Sequence, residues 1–310
     1  NEVRESSLFH LAALGESLVS DERADVRDLA ALKAAISVSQ PSAVFHLAAQ
    51  PLVRDSFISP VETFATNVMG TANTLAACNT VDSVRALVVV TTDKVYRNEQ
   101  AERPFVEPDP LGGKDTYSAS KAAAEFFVAS FRESVARDSL AIATVRAGNV
   151  IGGGDDGRDR VVPDLVRAFR SEKSCAIRHP HSLRPWQHVL DPLRGYLLLG
   201  ERLLDGSHAD AWNFGPALGD QMTVSELADA AASAWGDEAR WHESGNSDDR
   251  EAPTLRLDST RALDDLGWKC LLSQREAIAW TVQWEHEIAA GCDPATVSSR
   301  QLGDFLGRSR

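Results

Sequence analysis

The sequence has no paired cysteines, no membrane-length apolar run, no excess of positive charge and no opening glycine-rich turn. Each absence removes a class of protein. Cys78, Cys175, Cys270 and Cys292 are scattered with no CxxC pair, which argues against a disulfide framework or a zinc site and for reduced thiols; no metal site is expected. No apolar run nears the ~18 residues that span a bilayer, and no signal-peptide pattern opens the sequence given, so no membrane partner and a cytoplasmic location are expected. The formal charge of −13 speaks against a nucleic-acid partner, which needs a basic face. It also means that an anionic ligand must be met by a local cationic cluster. Neither an internal repeat nor a low-complexity linker is present. No GxGxxG or GxxGxxG turn occurs before Asp25, and Gly152-Gly153-Gly154 follows a late strand at the wrong spacing. If the protein binds a dinucleotide, the first βαβ portion lies outside the sequence given.

What is present has an α/β rhythm. At 310 residues, 43% hydrophobic and 25% charged, the chain is long enough for a large core. Asp28 is a candidate N-cap for a helix carrying Leu29, Leu32 and Ile36. Ala43 to Ala49 reads as a buried strand ending in small residues, which let a flat ligand approach or let a helix pack closely. A helix is predicted over about 60–78. Leu87 to Tyr96 begins as a strand buried on both faces and ends in Thr92, Asp93 and Lys94. Tyr117 and Lys121 then fall one turn apart on one helix face. The stretch from Ala122 to Phe131 is apolar nearly all round, which predicts a second buried face against another subunit. After a strand at 141–147, helices are predicted near 161–170, 191–204, 224–235 and 276–290, with strands near 176–178 and 211–214, and a loose tail from Val297.

These elements predict a doubly wound, parallel, Rossmann-like sheet with a smaller interleaved C-terminal substrate domain. Residues 1–150 are assigned to the dinucleotide domain, completed by about 189–214. Residues 151–188 and 215–296 are assigned to the substrate domain and 297–310 to the tail. Open α/β sheets place their chemistry at the carboxyl ends of the strands, where Thr92–Lys94 lie. Phenol, ammonium, hydroxyl and carboxylate together are equipment for removing a proton from a sugar alcohol, provided a cation lowers the phenol's pKa. Residues 144–194 hold nine Lys and Arg against six Asp and Glu, and Arg184 is the best single candidate there for gripping a diphosphate.

Tyr117-x-x-x-Lys121, His46-Leu-Ala-Ala-Gln50 and Asn67-Val-Met-Gly-Thr71 resemble the extended short-chain dehydrogenase/reductases that act on nucleotide sugars. Thr92-Asp-Lys-Val-Tyr96, Arg146-Ala-Gly-Asn-Val-Ile-Gly-Gly-Gly-Asp155, Arg184-Pro-Trp-Gln-His-Val189 and Trp212-Asn-Phe-Gly-Pro216 place the resemblance in the dehydratase branch. The resemblance departs at the missing glycine turn, at Thr116 in place of Pro, and at Arg250-Glu-Ala252 in place of His-Glu-Ala.

The resemblance implies a protein that holds NAD and acts on CDP-glucose or a related nucleotide sugar; the apolar stretch 122–131 adds the expectation of a homodimer, or dimer of dimers. It implies Tyr117 as the C4 base, Lys121 as its pKa partner and ribose contact, Thr92 as a C4-oxygen contact and Asp93 as the acid for the C6 hydroxyl. Lys94 is either the C5 base or an ion-pair partner of Asp93. Asp25 and Val26 would meet the adenine, and Ala48, Ala49, Gln50 and Asn67 would line the cofactor with Tyr117 and Lys121. Asn149, Arg184, Trp186, His188 and Arg146 would meet the substrate, with Trp186 equally readable as core, and Arg250 and Glu251 as weaker candidates. A 4-epimerase, an inverting UDP-N-acetylhexosamine dehydratase and a non-catalytic nucleotide-sugar-binding protein are the competing readings.

Overall fold

The structure is a computed structural model that describes residues 7–98, 103–244 and 255–309. Four parallel strands form its main sheet: β1 (Ala43–His46), β2 (Ala86–Val90), β3 (Ala141–Ala147) and the strand Ala211–Phe214, hydrogen-bonded in that order. Alternation along β2 explains why it is buried on both sides. Leu87 and Val89 point to one face, into a core with Ile36, Leu75, Cys78, Val128, Phe131 and Ile142. Ala86 and Val88 point to the other, into a core with Tyr196, Leu199, Leu203, Trp212 and Trp268. Helices Leu29–Ser39, Gly70–Cys78 and Thr116–Ser134 supply the first layer and Leu190–Leu204 the second. A separate core gathers Ile151, Leu165, Phe169, Ile177, Trp186, Leu227 and Ile278.

Several local expectations change. β1 stops at His46 rather than Ala49 because Asn67 captures the next turn: Gln50 N donates to Asn67 Oδ1 (2.8 Å) and Asn67 Nδ2 donates to Gln50 O (3.0 Å). The helix expected over 60–78 is interrupted at Ala65–Met69 by a π-turn that contains Asn67, a device frequent at functional sites. The loose tail is in fact a helix, Pro294–Arg308. Asp293 caps it, and burial of Val297 and Phe305 holds it down. The helix Thr116–Ser134 starts where Asp115 accepts hydrogen bonds from Ser118 N (2.9 Å) and Ser118 Oγ (2.6 Å). Its outer face leaves Phe126 60% and Phe127 38% exposed. Among the described residues no helix is long and apolar enough to cross a membrane.

Candidate active site

The carboxyl end of β2 turns through a single 3₁₀ turn, Asp93–Val95, which Thr92 opens by accepting a hydrogen bond from Lys94 N (3.3 Å). Thr92 Oγ1 donates to Asp93 Oδ1 (3.1 Å), and both groups act on the Tyr117 phenol. Hydroxyl, carboxyl and phenol thus gather in one buried cluster, with Thr92, Asp93 and Tyr117 each under 10% exposed. Burial pushes Asp93 up to about 6, against the pull of Lys94, the Thr92 hydrogen bond and Arg184. A carboxyl at that value is a proton donor near neutral pH.

Tyr117 is pushed up to about 12, chiefly by burial and further by the Asp93 charge, while the Thr92 hydrogen bond and Arg160 pull the other way. Lys121 differs from expectation. Its Nζ donates to Val90 O (3.0 Å), and burial lowers it to about 8, with Glu125 opposing. The cation acting on the phenol is Arg160, which pattern reading missed; its only signal was membership of the basic 144–194 segment. His46 lies near Lys121 and is lowered to about 4 by burial and by that ammonium. The imidazole is neutral and adds no second cation.

The residues expected around the cofactor divide into two groups. Ala48 is exposed and Ala49 half-buried at the end of β1, offering small side chains to a ligand at the strand ends. Asp25 is exposed and paired with Arg27 (Nη2 to Oδ2, 2.6 Å). Val26 O accepts from Asn73 Nδ2 (3.2 Å). Val26 also lies against Gly70, where a Cβ would come within 2.6 Å of Val26 Cγ2, so a side chain at 70 would push the loop away. By contrast, the Asn67 side chain bridges Gln50 and Ser120 Oγ (2.9 Å), and that of Gln50 binds Leu52 and Thr63. These two shape the site rather than present free groups to it.

On the substrate side, Gly148 is needed for close approach: a Cβ there would meet Pro185 Cγ at 2.6 Å. Asn149 and Arg184, the neighbours of that contact in the chain, are half-buried, and the charge of Arg184 reaches Asp93. Three other substrate candidates are corrected. Trp186 is 1% exposed within the separate core. His188 is 2% exposed, edge-on to Trp280 at 5.8 Å, and lowered to about 4 by burial.

Arg146 is 3% exposed and its guanidinium is consumed internally. Nε and Nη2 donate to the two oxygens of Glu125 (2.9 and 3.0 Å), and Nη1 donates to Tyr96 Oη (2.8 Å) and Glu107 O (2.9 Å). Even at the carboxyl end of its strand, an Arg that faces the core finds a buried carboxylate before it finds a ligand. Glu125 itself was legible, four residues beyond Lys121 on the Tyr117 face, and was overlooked. Arg250 and Glu251 lie outside the described residues.

A parallel sheet with a phenol, an ammonium, a hydroxyl and a carboxyl at its carboxyl edge defines a nucleotide-dependent enzyme acting on a hydroxylated substrate. The model of the NAD dependent epimerase/dehydratase family matches residues 4–215, and the chain belongs to that family. It is 39% identical over 308 residues to the CDP-glucose 4,6-dehydratase of Salmonella typhimurium, covering 97% of this chain and 86% of that protein. Among solved structures, MoeE5 in complex with UDP-glucose and NAD is 26% identical with a TM-score of 0.75, covering 86% of this chain and 85% of that one. The dTDP-glucose 4,6-dehydratase DesIV of Streptomyces venezuelae, with NAD and TYD bound, has a TM-score of 0.77 at 23% identity, covering 91% of this chain and 86% of that one. The DesIV likeness speaks for the fold alone.

The residues present fit the cofactor. Small side chains end β1, Lys121 is aimed at the end of β2, and Asp25 is exposed beside the Gly70 contact. Lys121 and Tyr117 would hold the nicotinamide riboside, Asp25 and Val26 would meet the adenine, and Ala48 and Ala49 would line the nucleotide.

Proposed function

We propose that this chain catalyses the intramolecular redox dehydration of CDP-glucose to CDP-4-dehydro-6-deoxyglucose. The carrying observation is the buried Thr92–Asp93–Tyr117 cluster, because an epimerase has no use for a buried carboxyl whose hold on its proton is raised. The 39% identity to a CDP-glucose 4,6-dehydratase over 97% of the chain supports the choice of nucleotide sugar. Bound NAD supplies a reversible two-electron acceptor. Tyr117 takes the C4 hydroxyl proton while Thr92 holds the C4 oxygen. The resulting ketone acidifies C5. Lys94 takes the C5 proton and Asp93 protonates the departing C6 hydroxyl; the hydride taken from C4 then returns at C6 and a proton returns at C5, which completes the 6-deoxy product. Arg184 and Asn149 hold the diphosphate, and the charge of Arg160 favours the Tyr117 phenolate. The test is to offer CDP-glucose to the NAD-loaded protein and weigh the sugar nucleotide afterwards. Loss of one water per molecule is expected; an unchanged mass with epimerised sugar would replace the dehydratase reading by the epimerase one.

The quaternary reading belongs here too. Phe57, Ile58, Val61, Phe126 and Phe127 are exposed on neighbouring helices, and a second copy of this chain is the occupant that would bury the same face on both sides. Phe126→Glu is expected to convert a sedimenting dimer to monomer; a monomeric wild type would sink this reading. A cytoplasmic location is part of the same proposal, supported by four free, scattered thiols.

A further inference from the structure

We propose that the buried Glu125–Arg146 pair is a positioning clamp that holds the Thr92–Asp93–Lys94 turn in register with Tyr117, so that oxidation at C4 leads on to loss of water at C6. The inference rests on the reaction proposed above. Its basis is where the two charged groups attach. Thr91, immediately before the turn, donates through Oγ1 to Glu125 Oε1 (2.6 Å). Tyr96, immediately after it, accepts at Oη from Arg146 Nη1 (2.8 Å) and donates to Asn213 Oδ1 (2.7 Å). Glu125 and Arg146 close the ring through two parallel bonds of 2.9 and 3.0 Å. Thr144 Oγ1 adds a fourth bond to the carboxylate (2.7 Å). Both ends of the turn are thus fastened to one ion pair, each half of which is 4% exposed.

The other anchor is the helix Thr116–Ser134. Residues 117, 121 and 125 are spaced four apart and share a face. Glu125 therefore ties the turn carrying Asp93 to the same rigid rod that carries Tyr117 and Lys121. A buried ion pair is a poor way to gain stability alone, since well-packed apolar residues do as well or better. Its use here is geometric.

Oxidation requires Tyr117 and Thr92 at C4. Elimination further requires Asp93 at the C6 oxygen: the C5 proton passes to Lys94, its electron pair becomes the C5–C6 double bond, the C6–O bond breaks, and the Asp93 proton completes the water. A turn that has slipped against the helix loses the second geometry before the first. A displacement of roughly 1 Å costs about 10²-fold in rate.

Thr91→Val and Tyr96→Phe test this without breaking the ion pair. Each removes one fastening, and Phe keeps the stacking of residue 96 on Phe105. Two readouts on the full-length proteins are compared with wild type. The first is the ratio of 4-ketone retaining its C6 oxygen to dehydrated product in a single turnover with the NAD-loaded protein in excess of CDP-glucose, since each such ketone leaves its hydride on the cofactor. It is expected to rise at least ~10-fold in each variant, with KM altered less than ~2-fold. The second needs no ligand: hydrogen exchange of amides 92–96, expected to quicken ~10-fold while exchange elsewhere in the sheet is unchanged. A proportionate fall in both ketones with wild-type exchange in the turn would reduce the pair to a core contact and overturn the proposal. If wild type yields neither ketone, the reaction reading fails, and the exchange measurement alone decides the clamp.

Discussion

Asp93→Asn is expected to give a protein that turns over about 10²–10⁴-fold more slowly and yet melts at a higher temperature than wild type. Both effects follow from one fact: burial raises the Asp93 carboxyl from 3.8 to about 6. The native state holds this proton more tightly than the unfolded chain does. The charged form therefore opposes folding above pH 6, and the opposition fades as pH falls through 6 toward 4. At about 1.4 kcal/mol per pH unit the cost at neutral pH is of order 2–3 kcal/mol. Asn keeps an oxygen for the Thr92 hydroxyl and removes the charge. The stability difference between variant and wild type should thus open between pH 4 and 6 and stay level above. Urea titrations at pH 4, 6 and 8 measure it, and equal stabilities at pH 8 would defeat the argument.

Activity runs on the same proton. Elimination by wild type should decline as pH rises past about 6, a limb absent from the residual activity of the Asn variant. Arg184 is one of the groups holding Asp93 down. A diphosphate on Arg184 cancels that pull, so the limb in kcat should lie at higher pH than the limb in kcat/KM.

Strand ends and helix spacing made most of the site legible in the sequence. A run of Val ending in Thr-Asp-Lys reads as a buried strand with polar groups gathered at its carboxyl end. Tyr117 and Lys121 at four-residue spacing can only share a helix face. What could not be read was which polar groups are satisfied internally. Arg146 and Arg184 look alike in the sequence, yet one is buried against Glu125 and the other is half-buried with a charge that reaches Asp93. Asn67 and Gln50 are polar residues near a strand end, but they bind each other across a π-turn that no periodicity reveals. The helix Pro294–Arg308 was missed for another reason. Only Val297 and Phe305 of it are buried, too thin a stripe to stand out, and the Asp293-Pro294 start signal was overlooked.

Breaking the Glu125–Arg146 pair from one side is the second large expectation. Glu125→Leu leaves a guanidinium buried without its carboxylate, and Arg146→Leu leaves the carboxylate with two Thr hydroxyls alone. Each single change should lower stability by about 3–5 kcal/mol. The double replacement removes both buried charges, so it should recover most of that loss; a double variant as unstable as the sum of the singles would refute a mutually compensating pair.

The acid limb gives an independent check. Burial works against the Glu125 charge, but Arg146 and the Thr91 and Thr144 hydroxyls outweigh it and hold the carboxyl below the usual Glu range. Its stabilising contribution is present above the unfolded pKa and is lost as pH falls through the depressed native one. The Leu double variant should therefore show a flatter decline in stability on acidification than wild type. Its stability and its chemistry should part company: with Thr91 and Tyr96 no longer fastened to the helix, the recovered fold should still release ketone that retains its C6 oxygen.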